Sequence, residues 1–210
     1  MVGAGIGAVV LAAVLGTGCG GAAAVSSPKA LPPQLVKQDP LPDRAWGVVE
    51  SSRFFVAVPL PDLASWRVDD TSGRWLTATH LPSKSMLLVR AWRAGSVVSH
   101  AACEEEARRW RPDLFGKDPE ALVDRRPVTA LPGFDVEVGF AVHKVKDALG
   151  GVAVAVGANV RQCLVLAYIT RAEGADAPEV LAGRLAFITE RVFGHVETRS
   201  VEDRVAPLSR

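Results

Sequence analysis

Apolar and polar positions alternate most cleanly near the middle of the chain, where Phe134, Val136, Val138, Phe140 and Val142 are interleaved with Asp135, Glu137, Gly139, Ala141 and His143. A period of two marks a strand with one buried face. Residues 54–58, 74–80, 86–92, 152–158 and 163–170 read as further strands, and the polar breaks at 82–85 and 147–151 as hairpin turns. In two places the period changes to that of a helix. Ser99 can cap a helix running to about Arg111, with Cys103, Ala107 and Trp110 on one face and Glu104/Arg108 and Glu105/Arg109 paired on another. Pro178 opens the second helix, where Leu181, Leu185, Ile188 and Val192 form one stripe before Gly194 ends it.

Strands, a helix, more strands and a closing helix imply an α+β domain in which an antiparallel β-sheet packs against two main helices. The chain presents, in order, a strand ending Val58-Pro59, Trp66 soon after, an acidic helix with Cys103, a long hairpin, Gln162-Cys163-Leu164-Val165, and a last helix ending Val192-Phe193-Gly194. This order of landmarks resembles that of the PsbP-like α/β/α sandwich. The likeness covers about residues 46–196. It implies a sandwich of a class that includes lumenal photosystem subunits and a nuclear-transport factor, mostly partner-binding proteins, and it transfers no residue's role.

The N-terminal part is a different object. Residues 2–15 are apolar apart from glycine, and no Asp, Glu, Lys or Arg occurs before Lys29. The stretch Leu15-Gly16-Thr17-Gly18-Cys19-Gly20 then places small residues around a cysteine. It resembles a bacterial lipoprotein signal peptide, although the usual aliphatic residue is one place early, at Leu15, and no basic segment precedes the apolar run. The resemblance implies a leader over 1–18 and lipidation of Cys19; an uncleaved membrane anchor and plain secretion are the alternatives. Gly20 after the cysteine, by analogy with enteric bacteria, favours the periplasmic face of the outer membrane. Residues 19–43, rich in Pro, Ala and Gly, read as a tether, 44–197 as the domain and 198–210 as a polar tail. A Gly3-Ala4-Gly5-Ile6-Gly7-Ala8 match to the dinucleotide fingerprint has no strand before it and no acidic residue near the required distance, the first being Asp39.

Composition narrows the function classes. With 24 Lys+Arg against 23 Asp+Glu the chain lacks the basic field of a nucleic-acid binder. After Cys19 two cysteines remain, and an inward-facing Cys103 beside a central strand beginning at Cys163 predicts a helix-to-sheet disulfide, with buried free thiols as the alternative. His80, His100, His143 and His195 are dispersed and none stands at ligand spacing from either cysteine, so no metal and no cofactor are expected. There is no nucleophile elbow and, in the domain, no phosphate-cradling loop. Asp135, Glu137 and His143 share a strand face and are the one acid/base group to consider, against a plain solvated face.

Trp66, Trp75 and Trp92, among five tryptophans, are candidate interface anchors, with core packing as the competing role. Arg90, Arg93, Arg108, Arg109 and Arg111 lie close to Glu104, Glu105 and Glu106, which points to a salt-bridged surface. The expectation is a non-enzymatic, lipid-anchored envelope protein that binds an envelope partner or helps an assembly. A small-ligand carrier or hydrolase with a pocket between sheet and helix is the alternative.

Overall fold

The apolar runs at 148–158 and 163–169 can be strands only if both their faces are covered, and they form the centre of the molecule. The computed structural model describes residues 41–115, 123–128 and 133–199. The elements begin with β1 (Gly47–Ser51), β2 (Val56–Leu60), β3 (Trp66–Asp69), β4 (Leu76–His80) and β5 (Ser85–Arg93). Next come α1 (His100–Trp110) and the single turn α2 (Pro112–Phe115). Then follow β6 (Val123–Pro127), β7 (Asp135–Val145), β8 (Ala148–Asn159), β9 (Gln162–Glu173), α3 (Ala177–Arg191) and β10 (Glu197–Thr198).

These make two antiparallel sheets, one of seven strands in the order β3-β4-β5-β9-β8-β7-β6 and one of three in the order β1-β2-β10. On one face of the large sheet Leu87, Val89, Ala153, Ala155, Leu164 and Leu166 pack with Leu185 and Ile188 of α3 and with Val56, Val58 and Leu60 of the small sheet. On the other, Leu88, Val152, Val154, Val156 and Val165 pack with Cys103 and Ala107 of α1 and Leu114 and Phe115 of α2. The fold is therefore α+β, an antiparallel sheet sandwiched between helices. Both faces of β8 and β9 are buried, which is why their apolar runs are nearly continuous.

Both long helices form where the periodicity places them, except that α3 ends at Arg191, which leaves Val192 as its cap and Gly194 in a short turn beyond it. Ser99 Oγ accepts from the Ala102 N–H at 3.3 Å, and Arg108 donates to Glu104 Oε1 at 2.9 Å. Proline stands in the first turn of α3, and Leu181, Leu185 and Ile188 are buried. Cys103 and Cys163 stand at disulfide distance, with Cα atoms 5.5 Å apart, tying α1 to β9.

Other expectations shift. Phe54 and Phe55 lie in the turn before β2 rather than in a strand, and β1, β3, β6 and β10, each five residues or fewer, carry too little pattern to be seen in advance. The turn expected over 147–151 is only Lys146–Asp147, closing Val145 opposite Ala148. Gly150 and Gly151 belong to β8 because neighbours crowd them. A Cβ at Gly150 would lie 2.7 Å from His143 Nε2, and one at Gly151 would lie 3.2 Å from both Leu181 Cδ2 and Leu185 Cδ1. The domain also starts before residue 44: Leu41 is buried in the core, and Arg191 donates to Asp43 Oδ2 at 2.8 Å. At the other end Thr198 pairs with Val56, and the Arg199 N–H donates to Phe55 O at 2.7 Å, so these two residues belong to the small sheet rather than to a tail. The leader, Cys19, the glycine-rich match and most of the tether lie outside the described residues.

Candidate functional site

The large sheet is wider than the helix that covers it. Because Gly151 lets α3 settle close, the helix sits on β8 and β9 and leaves the neighbouring face of β7 open. Between them runs a groove of about 750 Å³. Its walls are Val138, Phe140 and Val142 of β7, Leu149 of β8, and Leu181 and Leu185 of α3. Val142 is 58% exposed, although it continues the apolar face that Val136 and Val138 bury further back. The polar side chains of the lining are Arg126 of β6 and Thr189 and Glu190 of α3. The Arg126 guanidinium lies over the Phe140 ring at 5.0 Å, and the Thr189 hydroxyl is turned back to donate to Leu185 O at 2.8 Å. The volume and apolar character fit a small-molecule site, where a few polar groups fix the orientation of a largely hydrophobic ligand.

The acid/base group considered on β7 does not assemble. Asp135 pairs with Ala158 and His143 with Gly150, at opposite ends of the same hairpin. Eight residues of extended strand separate them by about 26 Å. Sharing a face is not sharing a site. His80 is buried, and His143 and His195 are exposed. Among the described residues no group of three or more His, Cys, Asp or Glu could hold a metal ion.

The tryptophans divide. Trp66 and Trp75 are each 7% exposed, one in each core, so they are corrected from interface anchors to packing residues. Trp66 Nε1–H donates to Pro61 O at 2.8 Å, which satisfies its polar edge internally. Trp92 is half-buried, edge-on to Trp110 at 4.7 Å, and donates to Glu106 Oε2 at 2.9 Å. Arg90 lies 3.6 Å over Trp110, and burial, then the charge of Arg74, lowers its pKa. Arg108, Arg109 and Arg111 are paired to Glu104, Glu105 and Asp113. That surface is salt-bridged, as the charge pattern implies.

Sequence reading missed a buried polar cluster beneath the N-terminal half of α3. His80 Nδ1 is hydrogen-bonded to Ser83 Oγ at 2.7 Å, Ser83 Oγ to Ser85 Oγ at 2.8 Å, and Ser85 Oγ to Thr170 Oγ1 at 2.8 Å. The Tyr168 hydroxyl donates to Ser85 Oγ at 2.9 Å, and Arg184 donates to Thr170 Oγ1 at 3.2 Å and Arg171 O at 2.9 Å. All six side chains are at least nine-tenths buried. The enclosed hydroxyls are bonded mainly to one another, and through Arg184 the cluster fixes α3 to the sheet. Its signal was Arg184, three residues after Leu181 and four before Ile188, inside the apolar stripe.

No helix among the described residues is long and apolar enough to cross a membrane. No family model and no curated protein matches the chain. A crystal structure from Bacteroides thetaiotaomicron VPI-5482, at 1.50 Å resolution, is similar to it with a TM-score of 0.45 and 9% identity, over 70% of this chain and 46% of that one. The chain thus spans about half the length of that protein.

Proposed function

We propose that the chain is a lipid-anchored envelope protein with a binding role and no catalytic one, and that its working surface is the groove beside α3, which takes an aliphatic chain. The observation that carries this reading is the lining of a cavity of about 750 Å³, whose walls are hydrocarbon and whose polar side chains are three. A peptide backbone laid there would bring N–H and C=O groups that such walls cannot match, at a cost of about 1–3 kcal/mol for each one left unpaired. An alkyl chain brings none, and each methylene buried contributes about 0.8 kcal/mol. Arg126 and Glu190, of opposite charge, both stand in the lining, so the groove's selectivity rests on its hydrocarbon walls.

Two features weigh against a protein partner that adds a strand. The β6 edge carries Pro127 and a register shift between Val123 and Arg126, and the opposite edge, β3, is only four residues long. Short edges with proline and bulges resist strand addition. The anchor rests on Gly18-Cys19 and the apolar leader. Acyl chains there would hold the domain at the membrane, and the cell envelope, at the outer membrane's periplasmic face, is the place this implies.

Titration of the purified full chain with a dansyl-labelled long-chain fatty acid, free of detergent, should saturate at one molecule per chain. Ala186→Trp, from an exposed position on the α3 wall, should weaken binding at least tenfold without lowering the melting temperature. Equal binding by that variant removes the groove from the reading. In cells, Cys19→Ala should move the protein from the membrane to the soluble fraction, and unchanged partitioning would refute the anchor.

A further inference from the structure

A second concavity, of about 340 Å³, lies at the end of the sandwich between the large sheet and the turn joining β1 to β2. Its floor is one rung of the sheet: Arg93 is opposite Gln162, Gln162 is opposite Asn159, and Phe134 immediately precedes the partner of Ala158. Three strand spacings put Arg93 about 14 Å from Phe134. The other wall is Arg53, Phe54 and Phe55 of the turn, with Thr198 and Arg199 closing the side.

The charges around this cavity are not equivalent. Arg199 donates to Glu50 Oε1 at 2.6 Å, and Arg53 lies 3.8 Å from Asp70 Oδ1 while donating to Gly73 O at 2.7 Å. Arg90 is turned to the opposite face of the sheet, against Trp110. The Arg93 guanidinium is exposed and has no ion pair or hydrogen bond among the described residues. A cavity with phenylalanine rings on floor and roof, an amide in its floor and one uncommitted guanidinium at one end is polar in one place and apolar in the rest.

We propose that this cavity is a second ligand site, distinct from the groove, for a small aromatic carboxylate. The carboxylate would accept from the Arg93 fork and the ring would lie between Phe54 and Phe134, with the Gln162 amide available to a ring substituent. The volume, at the lower end of the ligand-site range of about 300–1,000 Å³, admits a fused bicyclic acid and excludes the long chain assigned to the groove. A bare inorganic anion would leave the aromatic walls unused.

The test is a ligand-detected NMR titration of the full chain with naphthalene-1-carboxylate, naphthalene-1-methanol and inorganic phosphate. The carboxylate should bind about tenfold or more tightly than the alcohol, the margin of one charge-assisted hydrogen-bonded pair, and phosphate should not displace it. Arg93→Ala, an exposed change whose melting temperature should match the wild type, should abolish the preference for the acid, and Arg93→Lys should restore part of it. Three results would each overturn the proposal: equal affinity for acid and alcohol, an undiminished preference in Arg93→Ala, or displacement by phosphate. Loss of naphthoate binding in Ala186→Trp would also overturn it, by placing the probe in the groove, and would leave the reading of the groove intact.

Discussion

The Cys103–Cys163 pair gives the most quantitative prediction. The two positions are 60 residues apart in sequence, and each is essentially inaccessible, one on α1 and one on the second rung of β9, opposite Ala158. Closing a loop of that length removes about 14 cal/mol/K from the unfolded ensemble, or about 4 kcal/mol at 298 K. For a protein of this size each kcal/mol moves the melting temperature by about 2–4 °C, so Cys103→Ala/Cys163→Ala should melt about 8–16 °C lower. Differential scanning calorimetry of the oxidised chain, the oxidised chain with reductant, and the double variant checks this, with intact-mass alkylation counting thiols. Reductant should bring the wild type close to the variant, and it should act slowly, because α1 and α2 cover the sulfurs. Two alkylated thiols on these cysteines in the native, unreduced protein would refute the reasoning, as would a difference under about 2 °C.

Two further predictions probe polar structure. The Asp69 carboxylate accepts from the Thr71 N–H at 2.9 Å, the Thr71 hydroxyl at 3.0 Å, the Ser72 hydroxyl and the Ser72 N–H, and these bonds, led by that from the Ser72 side chain, hold its pKa well below the usual carboxylate range. A lowered folded-state pKa contributes stability that is fully present above about 3.9 and fades as pH falls toward the folded value. Asp69→Asn should therefore flatten the acid limb of the stability curve between pH 4 and 2, measured by urea unfolding, and an acid limb parallel to the wild type's would refute the assignment. Tyr168→Phe removes one donor to Ser85 inside the buried cluster and should cost about 1 kcal/mol in the same assay at neutral pH. No change there would show that the cluster is held together without it.

The two long helices and the long alternating strand were legible because each is periodic over many residues, and the helices carry local start signals in Ser99 and Pro178. The apolar runs of β8 and β9 were legible as strands, and the structure shows both their faces buried. Short strands were not legible: β3 and β10 acquire their conformation from neighbours such as His80 and Val56 rather than from their own four or two residues. Gly150 and Gly151 were misread for a related reason. A glycine in sequence signals either a turn or a close approach, and only the placement of His143 and α3 distinguishes the two.

The groove was legible only as a category, a space between sheet and helix. Its walls come from β7, β8 and α3, with Arg126 contributed by β6, and no local pattern links Phe140 to Leu181. Likewise Asp135 and His143 shared a face in the alternation, and distance along the strand then separated them.

By itself, then, the sequence determined the class of fold, the two helices and the cysteine link's end points, because each is written in neighbouring or periodically spaced residues. Tertiary structure decided which tryptophans are core, that Leu41 and Thr198 belong to the domain, how Arg184 is enclosed, and where the groove beside α3 lies. Those depend on which distant surfaces meet, and a single residue such as Gly151 sets how closely they do so.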